Sequence, residues 1–211
     1  MILFSIVLYA DPLYQRLSLF HQGDTVVVDF QQSIWVISVE KEDENDLVFS
    51  LVTATKDVLL REHMDQWLTW YEQGYPSASS HELITIRKHP FQVLDGQREK
   101  SKIAWISALF QLNLSPISEA DRKKAGPPPR PGETDFRHAW QPKLIVRGTR
   151  VDAPSKAFTA VWPEDGSQLS MKKLVLYFPV SPKTVQAFPY WIESEGGSYH
   201  AAVIDSKINS P

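Results

Sequence analysis

Apolar and polar positions along the first half of the chain change period several times, and each change predicts an element. Leu13, Leu17 and Phe20 are spaced for a short helix, and Gly23-Asp24 turns the chain after it. Thr25–Phe30 and Ser33–Glu40 are rich in β-branched and aromatic residues and read as two strands joined across Gln31-Gln32. A third strand follows over Leu47–Thr53. A helix capped by Asp57 then places Leu60, Met64, Trp67, Leu68 and Tyr71 on one face, with Trp70 at its border, and ends at Gly74 and Pro76. His81–Lys88 alternates as a strand, and Phe91–Leu94 continues it past Pro90 before the Asp95-Gly96 turn. Ser101 caps a second long helix with Ile103, Ile106, Leu109 and Phe110 on one side. Ser118–Lys124 reads as a short third helix, whose Arg122, Lys123 and Lys124 suit the negative end of a helix dipole.

The pattern breaks at Ala125-Gly-Pro-Pro-Pro-Arg-Pro-Gly-Glu-Thr134. Proline fixes φ and lacks the N–H that a ladder needs, so this stretch belongs to neither helix nor interior strand, and its three consecutive prolines favour a polyproline II path. Beyond it only strands are predicted: Lys143–Arg147, Ala157–Trp162, Leu174–Phe178, Tyr190–Glu193 and Ser198–Ile204, the last two joined by a hairpin at Glu195-Gly196-Gly197. The expected fold class is α+β. An N-terminal antiparallel sheet with two or three helices (residues 11–124) is joined by a Pro-rich strap (125–134) to a small all-β, sandwich-like part (135–211). Residues 1–10 are either a signal-peptide remnant or a first strand.

Composition narrows the class without naming a function. Of 211 residues, 43% are hydrophobic and 22% charged, which suits a globular chain with a real core. Residues 1–105 hold 9 Lys+Arg against 15 Asp+Glu, a net of −6, and residues 106–211 hold 13 against 10, a net of +3. The overall charge of −3 argues against a protein that coats nucleic acid. With no cysteine, disulfides, zinc–thiolate sites and thiol chemistry are excluded. The opening Met1–Ala10 is apolar but far short of the roughly 20 residues that span a bilayer. Ala10 before Asp11-Pro12 resembles a processing junction, although no basic region precedes the apolar run; Ile2, Phe4, Ile6 and Val7 would equally suit a buried strand. The junction favours an exported protein of the periplasm or cell envelope over a cytoplasmic one.

No catalytic pattern is present. The six histidines show no pair one helical turn apart around a glutamate, and neither Gly-x-Ser-x-Gly nor a phosphate-cradling glycine loop occurs. Ser79-Ser80-His81 and Ser198-Tyr199-His200 bring serine near histidine in sequence, but triads are assembled by the fold rather than by adjacency. The run Glu40–Asp46 lacks the central glycine of a calcium loop. No cofactor or metal is expected. Aromatic density remains: Trp140, Trp162, Tyr177, Phe178, Phe188, Tyr190 and Trp191 crowd the C-terminal part, mostly to fill a small core. Trp162, Tyr190 and Trp191 are the candidates for a partner-binding face.

Four stretches carry a family resemblance: Leu68-Thr-Trp-Tyr-Glu-Gln-Gly74, Arg122-Lys-Lys-Ala-Gly-Pro-Pro-Pro-Arg-Pro-Gly-Glu133, Trp162-Pro-Glu-Asp-Gly-Ser167 and Phe188-Pro-Tyr-Trp-Ile-Glu193. Together they resemble a group of uncharacterised, exported proteins of chlamydia-like bacteria, from Leu68 to the C-terminus. The resemblance implies an envelope address and supplies no activity. The expected function is non-catalytic binding of a protein or glycan. The alternatives are a hydrolase with its site between the two parts, or a structural component of the envelope.

Overall fold

A computed structural model of the protein describes residues 11–56, 67–94, 100–151 and 153–209. The elements are β1 (Asp11–Pro12), a 3-10 helix (Leu13–Leu19), β2 (Thr25–Phe30), β3 (Ser33–Glu42), β4 (Asp46–Thr55), α1 (Trp67–Glu72), β5 (Ser80–Arg87), β6 (Gln92–Leu94) and α2 (Lys100–Phe110). They continue with β7 (Asn113–Pro116), β8 (Leu144–Val146), β9 (Thr149–Val151), β10 (Ser155–Val161), β11 (Lys173–Pro179), β12 (Trp191–Ser194) and β13 (His200–Lys207). Eleven strands form one antiparallel sheet in the order β1-β7-β10-β11-β12-β13-β2-β3-β4-β5-β6, and β8 and β9 form a separate hairpin.

The first-half strands fold as their patterns predict. Gln31 takes a φ of 53°, the left-handed value that a two-residue reversal requires, and sets Phe30 opposite Ser33. The last strand then joins the first half of the chain. Lys207 lies opposite Thr25 and Ala201 opposite Phe30, so β13 is hydrogen-bonded along β2. This corrects the expected α+β arrangement with a separate sandwich-like part: the described residues are mostly β, the helices among them are short, and one sheet runs through both halves. The reason is visible in β2. Val26, Val27 and Val28 are all buried, which requires cover on both faces and a neighbour on each side, the condition of a central strand rather than an edge.

The sheet encloses one main core around the 3-10 helix and α2. Leu13, Leu17 and Phe20 meet Phe49 of β4 and Phe110 of α2, with Phe20 edge-on to both rings at 5.1 and 6.3 Å. Trp105 of α2 touches Trp35 from the first half at 5.3 Å and Trp162 from the second at 5.9 Å, and donates its indole N–H to the Tyr199 hydroxyl at 3.2 Å. A smaller core lies on the other face, where Val27, Ile34, Val36, Val52 and Ala54 are covered by Trp67 and Trp70 of α1. Trp70 is therefore interior, not at a border; the carbonyl of Pro76 accepts its indole N–H at 2.8 Å, which makes that burial affordable.

A bulge in β13 between Val203 and Asp205 changes which face the strand's later residues occupy. Asp205 falls opposite Val27 on the α1 face and accepts N–H groups from Trp67, from Gly148 at 2.8 Å and from Ser206 at 2.7 Å. The tail after β13 is latched as well. Asn209 donates its backbone N–H to Asp24 at 3.0 Å and its side-chain amide to the carbonyl of Gln22 at 2.9 Å. Gly23, at φ 89°, would carry any Cβ to within 3 Å of the Asn209 side chain, so glycine is required there on both counts.

Ser118–Lys124 is not a helix but a series of turns. Ser118 and Asp121 close one turn, and Arg122 is directed inward, so its charge serves burial contacts rather than a helix end. The predicted strand at Lys143–Arg147 is shorter and reverses at Arg147-Gly148 into β9. Residues 1–10, Asp57, Leu60, His63, Met64 and the Asp95-Gly96 turn lie outside the described residues, as do the side chains of Leu68, Ser101 and Ile103. No helix among the described residues is long and apolar enough to cross a membrane.

Buried phenols give the core an alkaline limit. Tyr190 shares a 2.6 Å hydrogen bond with Ser206, and burial pushes its phenol up to about 12, against the lowering effect of that bond. The unfolded chain ionises this group near pH 10, so the folded state holds more protons between about pH 10 and 12 and loses stability as pH rises through that window. Unfolding free energies from denaturant titrations at pH 8 to 12 are expected to fall more gently in Tyr190→Phe, by about 2 kcal/mol across the window. Parallel curves for the two proteins would count against this.

Candidate functional site

Alternation in β11, β12 and β13 sends one set of side chains away from the main core. Tyr177, Trp191 and Ala202 stand opposite one another across the three strands, and Val175, Glu193 and His200 form the next row. Trp140, in the segment leading to β8, crosses this face with its ring 5.2 Å from Tyr177 and 5.4 Å from Trp191. His200 is exposed and stacks on Trp191 at 5.5 Å and 16°. Lys123 completes the group, 5.0 Å from the Trp140 ring and 3.6 Å from the Glu193 carboxylate, which also accepts the Trp191 indole N–H at 2.9 Å.

Arg122 fixes the segments that frame this group. Its guanidinium is buried and donates to Ser155 O at 3.0 Å, Ser155 Oγ at 3.1 Å, Trp140 O at 3.1 Å and Glu119 at 2.6 Å. Beside the aromatic cluster lies a cleft of about 530 Å³ whose lining includes Thr159 and Val175, the lysines Lys123 and Lys173, the carboxylates Asp121, Glu193 and Glu195, and Gly196-Gly197. Charges of both signs stand next to half-buried rings. That combination suits a protein surface, where aromatic anchors sit inside a polar rim.

The three sequence candidates separate in space. Trp162 is 0% exposed, packs on Trp105 and donates to Asp165 at 2.8 Å. Tyr190 is likewise interior. Only Trp191 reaches the outer face. Sequence reasoning places Lys123 at a helix end, sets His200 beside Ser198, ends a strand at Glu193 and counts Trp140 in the aromatic density, and assigns none of the four to a binding face. Alternation in Trp191-Ile-Glu-Ser194 and His200-Ala-Ala202 was the signal that could have put Trp191, Glu193 and His200 on one face.

The serine–histidine neighbours in sequence find other partners. Ser80 bonds to Thr53 at 2.8 Å and Ser198 to Ser194 at 3.2 Å, while His200 stacks on Trp191. His81 instead bonds Ser50 at 2.9 Å, but Ser50 is only 2% exposed, so its hydroxyl is closed to a substrate. Among the described residues no three His, Asp or Glu side chains are grouped to hold a metal ion.

Residues 35–152 match the family model described as CT021 protein, more than half of the chain. The chain belongs to the CT021 protein family. Its fold is similar to that of the solved structure of the hypothetical protein CT021 from Chlamydia trachomatis, with a TM-score of 0.62 and 18% identity over 92% of this chain and 91% of that one. No curated protein matches the chain. The resemblance to uncharacterised chlamydial proteins read from the four sequence stretches is thus confirmed. At this identity the match to CT021 of Chlamydia trachomatis speaks for the fold alone, across both the helix-bearing and all-strand regions.

Proposed function

We propose that the protein acts by non-catalytic binding of a protein partner in the cleft beside Trp191, and that it does so after export to the periplasm or cell envelope. The observation that carries the binding reading is the pairing of half-buried Trp140 and Trp191 with a mixed-charge cleft on the outer face of the sheet. A protein partner is favoured over a glycan because the ring faces are already engaged: His200 lies flat on Trp191, and Lys123 sits over Trp140. A sugar that stacks on tryptophan needs an open face, whereas a peptide needs anchors and complementary charges. Export is supported by the Ala10-Asp11-Pro12 junction.

A photoreactive residue in place of Lys173, in the full-length protein expressed in its native cells, is expected to give a discrete protein adduct in the periplasmic or envelope fraction. The paired change Trp140→Ala with Trp191→Ala should reduce it about tenfold, the equivalent of about 1.4 kcal/mol. An adduct that persists in the double variant, or none at all, rejects the site. Recovery of the product solely in the cytosol rejects export, and glycan-array binding lost in Trp191→Ala would transfer the cleft to a sugar.

A further inference from the structure

Residues 125–136 form a loop that is held firmly at its base and packs its length against little. Lys124 and Ala139 make an antiparallel bridge, and the N–H of Ala125 donates to His138 O at 2.9 Å. Arg137 donates to Gly126 O at 3.0 Å and grips the Asp135 carboxylate through two nitrogens at 2.9 Å each. Beneath the base, buried Arg122 ties Trp140 to Ser155.

The tip is fixed too. Pro131 and Gly132 occupy the central positions of a reversal closed by Glu133 N–H to Arg130 O at 3.0 Å, with Gly132 at φ 89°, as a type II turn requires. The Glu133 carboxylate accepts the Arg130 N–H in return, at 3.1 Å. Between base and tip, Pro127, Pro128 and Pro129 are restrained by their own rings.

This rigidity serves no core. From Ala125 to Phe136 every residue is exposed except half-buried Pro129, and Phe136 is 83% exposed. The Arg130 guanidinium makes no ion pair among the described residues. A segment that has already lost its conformational freedom, displays apolar rings and carries an unpaired cation is preorganised for recognition, because little ordering remains to oppose binding. Polyproline segments dock in grooves lined by aromatic side chains, and a neighbouring cation fixes their direction against an acidic residue.

We propose that Pro127–Pro131 is a displayed polyproline ligand for a partner protein whose groove is aromatic-lined and edged by an acidic side chain that receives Arg130. The site is separate from the cleft beside Trp191, since no residue of 125–136 lines that cleft.

The test titrates the full-length protein against a panel of isolated SH3 and WW domains, which read polyproline through aromatic grooves. At least one is expected to bind, with affinity falling about tenfold or more in Pro128→Ala with Pro131→Ala and in Arg130→Glu. Circular dichroism should show these exposed-loop variants folded, and Trp191→Ala should bind the domain as the natural protein does, so failure of the cleft leaves this result intact. Absence of binding across the panel, or binding undiminished in the loop variants, overturns the proposal. Sedimentation showing self-association that the loop variants abolish would make the occupant a second copy of this chain, and overturns it as well.

Discussion

Residues 1–124 and 135–211, produced as separate polypeptides, are each expected to give poorly dispersed amide spectra, and to recover a folded spectrum only when mixed. The N-terminal piece loses the neighbour of β2 along Thr25–Phe30, and β10 from its place beside β7. It also exposes Trp105 where Trp162 now packs. The C-terminal piece keeps β10 to β13 but uncovers their inner face, with Trp162, Leu174, Leu176, Phe178, Ile192, Ala201 and Val203 turned toward a core that is no longer there. Burying a large apolar side chain contributes about 1.5–3 kcal/mol, so losing cover over several exceeds the 5–15 kcal/mol by which a whole domain is stable. A dispersed, cooperative spectrum from either piece alone would show that its half of the sheet is self-sufficient.

Asp205→Ala is expected to lower stability by about 2–5 kcal/mol, because it strands the buried indole N–H of Trp67 and removes the acceptor that anchors the exposed turn at Gly148. The carboxylate joins three parts of the chain: α1 through Trp67, the β8–β9 hairpin through Gly148, and the bulge of β13 on which it sits. For a protein of this size the thermal midpoint should drop by roughly 5–15 °C. Trp67 emission should shift to the red before the main transition, as α1 comes away from the sheet. Asp205→Asn keeps an acceptor and should recover part of the loss. A midpoint within about 2 °C of the natural protein's would mean that water replaces the carboxylate and that α1 is held by packing alone.

Local elements were legible where one pattern dominated. Thr25–Phe30 and Ser33–Glu42 pair across Gln31-Gln32 as their β-branched runs foretell, and the apolar residues around Leu17 and Leu109 face the core. Sheet order was not legible, because alternation describes the two faces of a strand and says nothing about which strand lies beside it. The change in composition at the prolines suggested a boundary between folding units, whereas those prolines occupy an exposed excursion from a single sheet. The unbroken apolar run Val26-Val27-Val28, in place of alternation, was the available hint that β2 is central. The candidate site was legible only in part for a related reason. A tryptophan's type does not reveal its side of the strand, so interior Trp162 and outward Trp191 look alike until the register is known.

The position of β13 bears on how this protein comes into being. Since β13 is inserted between β12 and β2, the ladder has a gap at its middle until Lys207 has left the ribosome. At roughly 5–20 residues per second, about half the chain, some hundred residues from β7 to β13, is still to be made when the N-terminal strands are already out. During those seconds the valine-rich flank of β2 is an open template for pairing. A stop codon ahead of His200 therefore removes the centre of the sheet instead of trimming its rim.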